Sequence, residues 1–477
     1  MTDYDKIIYA IKKIGSFLFA RGLPATINFF ALSFYAHTLV PIEYGEYSLS
    51  LLCASFLSTL IFSWLNMALL RLYEEYKQEH ESFLYTIRQT FLFLSFGLIL
   101  ISIPFYFLIH RLLFFIVILT IGQSLFQLCL QLLVSEAKPA QYAILSVFNA
   151  AIAVCLSYFF LEYTQLGVLG IIISITIANI IVVSKLYMSQ WVFKVKYPFN
   201  LKLLSRTFFY GYPLSLSLLI GIILYGLNRF MLDFFWGKQS VGLFSLPYDI
   251  ANQSVTLIFM ALQLYFYPLV LKILHTEGEA CAEAQLKKNS KGFLILIIPC
   301  LLFFVFFSHQ LAQLVSSAPY RQAFTQVLPL ITVSAVIQGF KAYYYDLAFQ
   351  LSHQTKTQLY INTITILFNF LLNLFFISKF NYMGACYASV LTALLAVLLS
   401  YVMGKKHFSM PAILFFGNIR IFLCGAVLCL LFFYMRNIAN IYLLGFLLLF
   451  CVGGYFTLIA FFELKSNYFT LKNKEKE

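Results

Sequence analysis

Between Phe17 and Tyr47 the chain reads FLFARGLPATINFFALSFYAHTLVPIEYGEY, an apolar run interrupted early by Arg21 and closed by a turn signal around Pro41 and Gly45. About 20 apolar residues in a helix cross the hydrocarbon core of a bilayer. An arginine inside such a helix costs roughly 2.5–3.5 kcal/mol on insertion scales. A chain that keeps one must let it snorkel to the headgroups or surround it with polar groups. The stretch predicts a spanning helix packed against other helices.

Similar runs fill the sequence, which is 61% hydrophobic and only 11% charged; soluble domains carry about 25% charged residues. Apolar spans are expected at 15–40, 45–70, 89–109, 112–134, 141–161, 166–187, 208–235, 241–271, 292–315, 322–351, 357–378, 383–404, 417–435 and 440–462. The fold class is therefore all-α, a polytopic membrane protein with fourteen transmembrane helices and no room for a soluble catalytic domain. Spans 241–271 and 322–351 exceed a straight crossing, so tilt or an emerging helical end is expected. Lys6, Lys12 and Lys13 precede a first span too long for a signal-peptide core, so that span is expected to remain in the mature protein. The nine cysteines form no C-x-x-C pair and the seven histidines do not cluster. We expect neither a metal site nor a cofactor.

Charge sets the orientation. Of 32 Lys and Arg residues, Arg111, Lys238, Arg321, Lys379 and Arg436 fall in one set of connectors, while Arg21, Arg229 and Lys341 lie within spans. The remaining 24 fall in the other set or the termini. Cytoplasmic connectors are rich in Lys and Arg, so both termini are expected in the cytoplasm. This distribution accounts for the net charge of +13 without a nucleic-acid partner.

The second half echoes the first. Arg21-Gly22-Leu23-Pro24 returns 189 residues later as Tyr210-Gly211-Tyr212-Pro213, and Tyr44-Gly45-Glu46-Tyr47-Ser48 as Val241-Gly242-Leu243-Phe244-Ser245. Lys138 to Tyr142 matches Lys356 to Tyr360, and Gly167 matches Gly384. We expect an N-lobe of spans 1–6 (residues 1–190), a basic cytoplasmic connector (191–207) and a C-lobe of spans 7–12 (208–405). Spans 13 and 14 with a cytoplasmic tail (406–477) complete the chain. Even-numbered repeats share one orientation across the membrane. Pro24, Pro213, Pro247 and Pro268 are expected to bend or break spans 1, 7 and 8.

Polar residues recur at helical spacing: Arg21, Asn28 and Tyr35 in span 1; Asp249, Gln253, Thr256 and Gln263 in span 8; Ser334, Gln338, Lys341 and Tyr345 in span 10; Asn362, Thr365, Asn369 and Asn373 in span 11. Each stripe shares a helix face. One reading is hydrogen bonding between helices, worth under about 1 kcal/mol per pair; the other is a wetted cavity between the lobes. Arg229 could pair with Asp233 one turn on or with Asp249, which could instead titrate. Lys341 lies too deep for easy snorkelling, and Asp346 reads as an interfacial carboxylate. Fixed cations in low dielectric suit an anion, and arginine matches phosphate oxygens.

The N-terminal residues Arg21-Gly22-Leu23-Pro24-Ala25, Asn28-Phe29 and Leu39-Val40-Pro41-Ile42-Glu43-Tyr44-Gly45-Glu46-Tyr47 resemble the signature of bacterial polysaccharide exporters. These are the Wzx-type O-antigen and capsule flippases of the MOP, MATE-like superfamily. The resemblance implies two six-helix MATE-like lobes plus two extra helices, in the bacterial cytoplasmic (inner) membrane. It implies export of an undecaprenyl-pyrophosphate-linked oligosaccharide by alternating access, ion-coupled and without catalytic residues. Membrane lipids, a polysaccharide polymerase and a chain-length regulator are the further partners. Substrate contacts then fall to Arg21, Arg229, Lys341, Asn28, Gln338 and Asn369, and cation coupling to Asp249. Lipid II flippases of the same superfamily share the span count. A drug/cation antiporter calls for acidic cavity residues, and a membrane polymerase or glycosyltransferase for a longer outer loop than Pro41–Gly45.

Overall fold

The computed structural model describes residues 22–108, 111–190, 199–413, 418–438 and 441–474. Among these residues the regular structure is entirely helical. In order they are α1 (22–38), α2 (Pro41–Ile61), α3 (Ser63–Leu72), α4 (His80–Leu108), α5 (Arg111–Ser135), α6 (Pro139–Tyr163), α7 (Val168–Gln190) and α8 (Leu201–Glu277). There follow α9 (Glu279–Phe306), α10 (Ser308–Val315), α11 (Ala318–Phe340), a π-helical turn (Lys341–Tyr345), α12 (Leu347–Leu351), α13 (Thr355–Gly404), α14 (Ile419–Met435) and α15 (Ile441–Lys474). α8 reverses at Gly237 (φ 75, ψ 178) and α13 at Asn381 (φ 52, ψ −136), so each holds two apolar segments. With α2 and α3 taken as one bent span, α10 taken with α9, and the π-turn and α12 taken with α11, the described residues give fourteen helical segments. The chain is a multi-pass, all-α membrane protein.

Two compact units form. The first comprises Ser16–Leu246 and Asn369–Ala385. Its core gathers Phe62, Trp64, Leu65 and Leu69 with Phe83, Ile87 and Phe91 of α4 and Leu128 of α5. α2 and α3 meet at a 50° bend at Phe62. There Ser63 Oγ donates to Thr59 O (2.6 Å) and Trp64 Nε1 to Ile61 O (2.7 Å), so side chains satisfy carbonyls that the bend exposes. At the start of α2, Pro41 occupies the first turn and the Glu43 carboxylate accepts the Val40 N–H at 3.2 Å. Chain direction brings the start of α2, the end of α4, the α6–α7 connection and the Gly237 turn to one end of this unit. At the other end Arg206 bonds Tyr76 (2.9 Å) and Glu75.

The second unit holds Pro247–Phe368 and Cys386–Glu477. Phe259 is its hub: its ring centroid lies 5.2 Å from Phe293 and 5.1 Å from Phe340. The C-terminal helices share this core, with Phe432 of α14 lying 5.1 Å from Phe307 and Tyr455 of α15 buried.

Three expectations change. The backbone stays helical through Pro213, Pro247 and Pro268, and the reversal in α8 falls at Gly237, because a positive φ favours glycine. The span expected at 292–315 is interrupted at Phe307, between α9 and α10. α9 begins at Glu279, well before the apolar run, so α8 and α9 carry Lys272, Lys287, Lys288 and Lys291 on helical ends beyond their apolar stretches.

Candidate functional site

In the second unit a buried charge, Lys341, opens the π-turn. Five residues on an α-helix are about 140° apart, so Lys341 and Asp346 would face different ways. The wider turn restores alignment: Asp346 N–H donates to Lys341 O at 2.9 Å, and Lys341 Nζ donates to Asp346 Oδ2, also at 2.9 Å. Lys341 Nζ further donates to Asn362 Oδ1 (2.6 Å). Gln358 Nε2 donates to Asp346 Oδ2 (3.1 Å) and Ser400 Oγ to Asp346 Oδ1 (2.8 Å). Lys341 is 7% exposed and Asp346 only 2%. Such turns recur at functional sites, and this one serves an ion pair whose members are satisfied by neighbours from α13. Asp346 is thus a buried counter-ion and not an interfacial carboxylate. Gln338 stands half-buried one turn before Lys341, and Asp249 is half-buried in α8.

Among the described residues the other buried cation lies in the first unit. Arg229 is 4% exposed, lies 4.9 Å from the centroid of Tyr225 and donates from Nη2 to that tyrosine's hydroxyl at 3.3 Å. Beside it Asn228 joins an amide cluster: Asn373 Nδ2 donates to Asn228 Oδ1 (2.7 Å) and Asn369 Oδ1 (2.9 Å). The structure therefore brings Asn369 to the residue adjoining Arg229. The span-11 stripe divides, Asn362 serving Lys341 and Asn369 with Asn373 serving Asn228, so both ends make the inter-helix hydrogen bonds of the plainer reading. Asn28 is exposed on α1, whereas Tyr35 of the same stripe is buried and donates to Ser157 Oγ at 2.9 Å. Arg21 lies outside the described residues. Among the described residues no group of three or more His, Cys, Asp or Glu side chains is arranged to hold a metal ion.

A third feature joins the repeat motifs to each other. α2 and α8 cross where Gly45 meets Gly242: a Cβ on Gly45 would overlap the Lys238 carbonyl, and one on Gly242 would overlap the Pro41 carbonyl. Each obstructed carbonyl lies four residues before the opposite glycine. Three residues after the glycines, Ser48 Oγ donates to Ser245 Oγ at 2.9 Å. The contact is reciprocal, every relation repeating when one motif is exchanged for the other, as a local two-fold requires. Lys238 Nζ bonds Glu46 Oε1 at its flank (2.7 Å). Sequence reasoning found both motifs but not their mutual contact, and it passed over Asn228, Gln358 and Ser400. The adjacency of Asn228 to Arg229 was the signal available.

Comparison with known structures shows the fold. The lipid II flippase MurJ in an inward closed conformation superposes with a TM-score of 0.76 at 18% identity, covering 94% of this chain and 99% of that one. An inward-facing multidrug resistance MATE family transporter of the MOP superfamily gives 0.64 at 14% identity, covering 82% and 97%. A MOP superfamily transporter from Pyrococcus furiosus gives 0.60 at 14%, covering 83% and 95%. Comparison with curated protein sequences gives no match. The family described as "Polysaccharide biosynthesis protein" matches residues 10–274, more than half of the sequence, and the chain, a multi-pass membrane protein with the fold of these structures, belongs to that family.

Proposed function

We propose that the protein is a flippase that carries an undecaprenyl-pyrophosphate-linked oligosaccharide, an O-antigen or capsule repeat unit, across the bacterial cytoplasmic membrane. Family membership supports a polysaccharide role, and the observation that carries the cargo's anionic character is Arg229. A guanidinium stays protonated at any physiological pH and its fork of donors matches phosphate oxygens, and here it is buried beside the Asn228–Asn369–Asn373 amide cluster. Arg21, Asn28 and Gln338 are assigned to the same cargo path. In the other unit the Lys341 ammonium faces Asp346, so it meets a diphosphate by exchanging one anion for the other. The N-lobe and C-lobe repeats are the moving bodies. The glycine crossing closes the outer end, with both termini in the cytoplasm and Asp249 serving the coupling cation. A polymerase and a chain-length regulator receive the product.

A second reading, a lipid II flippase, draws on the MurJ likeness over nearly the full length of both chains. Proteoliposomes loaded with either lipid decide between them. We expect the lipid-linked oligosaccharide to be translocated and lipid II not. Arg229→Gln should lower translocation by about tenfold or more, the effect of losing one charged hydrogen bond. Asp249→Asn should remove the response to an imposed proton gradient. Undiminished transport by Arg229→Gln would refute the cationic contact.

A further inference from the structure

At the end of the first unit where α2 begins, Glu43, Glu46, Tyr106, Phe107, Arg111 and Gln165 line a cavity of about 590 Å³. The start of α2, the α4–α5 connection and the α6–α7 connection build it. Glu43 is held by the Val40 N–H and lies beside Gly167, whose left-handed backbone (φ 50) turns the α6–α7 connection toward it. Arg111, at the start of α5, stands 6.0 Å from the ring centroid of Tyr106, at the end of α4. Glu46 faces the cavity while also accepting Lys238 Nζ.

The lining selects a chemistry. Two carboxylates disfavour an anionic ligand, and the guanidinium disfavours a simple cation. Carboxylates accept hydrogen bonds, arginine and a primary amide donate them, and a phenol does both. Aromatic rings supply an apolar face for C–H groups. Few polar groups converging beside aromatic walls, in a volume typical of small-ligand sites, match the vicinal hydroxyls and C–H faces of a saccharide. This end is also opposite the basic Arg206 end, so the charge bias places it outside.

We propose that this cavity is a saccharide-binding subsite on the delivery side of the membrane, and that Glu46 reports its occupancy to the α2–α8 crossing. Sugar hydroxyls that engage the Glu46 carboxylate compete with Lys238 Nζ for it. Release of Lys238 frees the residue whose carbonyl packs on Gly45, and the crossing loosens as the glycan arrives. The inference rests on the reading of the cargo as a lipid-linked oligosaccharide.

The test uses the full chain in lipid nanodiscs with two probes: undecaprenyl diphosphate without sugar, and the free oligosaccharide released by mild acid from the lipid-linked intermediate of the producing cells. Both should bind. Tyr106→Ala and Gln165→Ala, at exposed or half-buried sites that leave the fold intact, should each weaken oligosaccharide binding about tenfold and leave undecaprenyl diphosphate binding unchanged. The oligosaccharide should also slow disulfide formation in an S48C/S245C variant, and fail to do so when Glu46→Gln is added. Binding of the lipid diphosphate alone, or oligosaccharide binding indifferent to the cavity variants, would overturn the subsite while sparing the flippase reading. Binding of neither probe would overturn both. Unaltered cross-linking with bound oligosaccharide would overturn the link to the crossing.

Discussion

The α2–α8 crossing and the Lys341–Asp346 site solve opposite problems. At the crossing, Gly45 and Gly242 bring two backbones together, held by dispersion, by close approach to carbonyls, by one hydroxyl pair and, at the flank, by the partly exposed Lys238–Glu46 bridge. Each of these interactions is small, and parting the helices leaves only groups that water satisfies. At Lys341 the contact is ionic, buried and supported by Asn362, Gln358 and Ser400. Parting that pair leaves two charges in a medium of low dielectric, where either alone is costly. The comparison teaches that the chain holds one contact suited to opening and closing and another suited to staying shut.

The largest expected effect breaks the second contact. Asp346→Asn retains shape but leaves Lys341 without its counter-ion, and we expect a loss of about 3–5 kcal/mol of stability, seen as a lower melting temperature of the detergent-purified protein. Replacing both partners, Lys341→Met with Asp346→Leu, should return most of that loss, since no charge remains buried. A single asparagine variant that melts like the parent would show that the pair carries no weight.

The next effect concerns the first contact. Gly242→Leu places a branched side chain against the Pro41 carbonyl. Overpacking of this kind costs about 1–3 kcal/mol, so the protein should remain folded while the crossing fails to close. In the S48C/S245C background, where the parent hydroxyl oxygens lie 2.9 Å apart, oxidation should form a disulfide readily and arrest transport until a reductant is added. Adding Gly242→Leu should abolish that disulfide. Transport that continues through the oxidised state would mean that the crossing never opens, and the contrast with Lys341 would collapse.

How much of this could be read from residues alone depends on the range of the interaction. The spanning helices were legible because a bilayer demands continuous apolar length, and the bias of Lys and Arg followed from composition along the chain. The motif pair at Gly45 and Gly242 was visible as a repeat, but repetition does not say whether the copies touch. Nor are repeated glycines equivalent: Gly211 packs against the Trp64 carbonyl, while no atom of the described residues lies within 4 Å of where a Cβ on Gly22 would be. The Lys341–Asp346 pair was hidden by the assumption of a regular α-helix, in which a spacing of five separates the two residues. The division of the Asn362–Asn373 stripe was hidden because helix periodicity gives a shared face and is silent on what each part of that face meets.

The smallest effect sharpens the contrast by testing what places Lys238. Trp236, just before the Gly237 reversal, donates Nε1–H to Ile377 O at 2.8 Å, and Ile377 precedes the Asn381 reversal in α13. One indole hydrogen bond thus ties together two turns of the first unit, and one of them carries the residue that packs on Gly45. Trp236→Phe keeps the aromatic packing and removes the donor, so the loss should be about 1 kcal/mol, a shift of a few degrees or less in melting temperature. The ion pair at Lys341 lies in the other unit and should not respond. The crossing should, because a looser turn lets Lys238 retreat, and oxidation of the S48C/S245C pair should slow in proportion. An unchanged oxidation rate with the expected small loss of stability would assign the placement of Lys238 to the glycine contact itself and not to the turn.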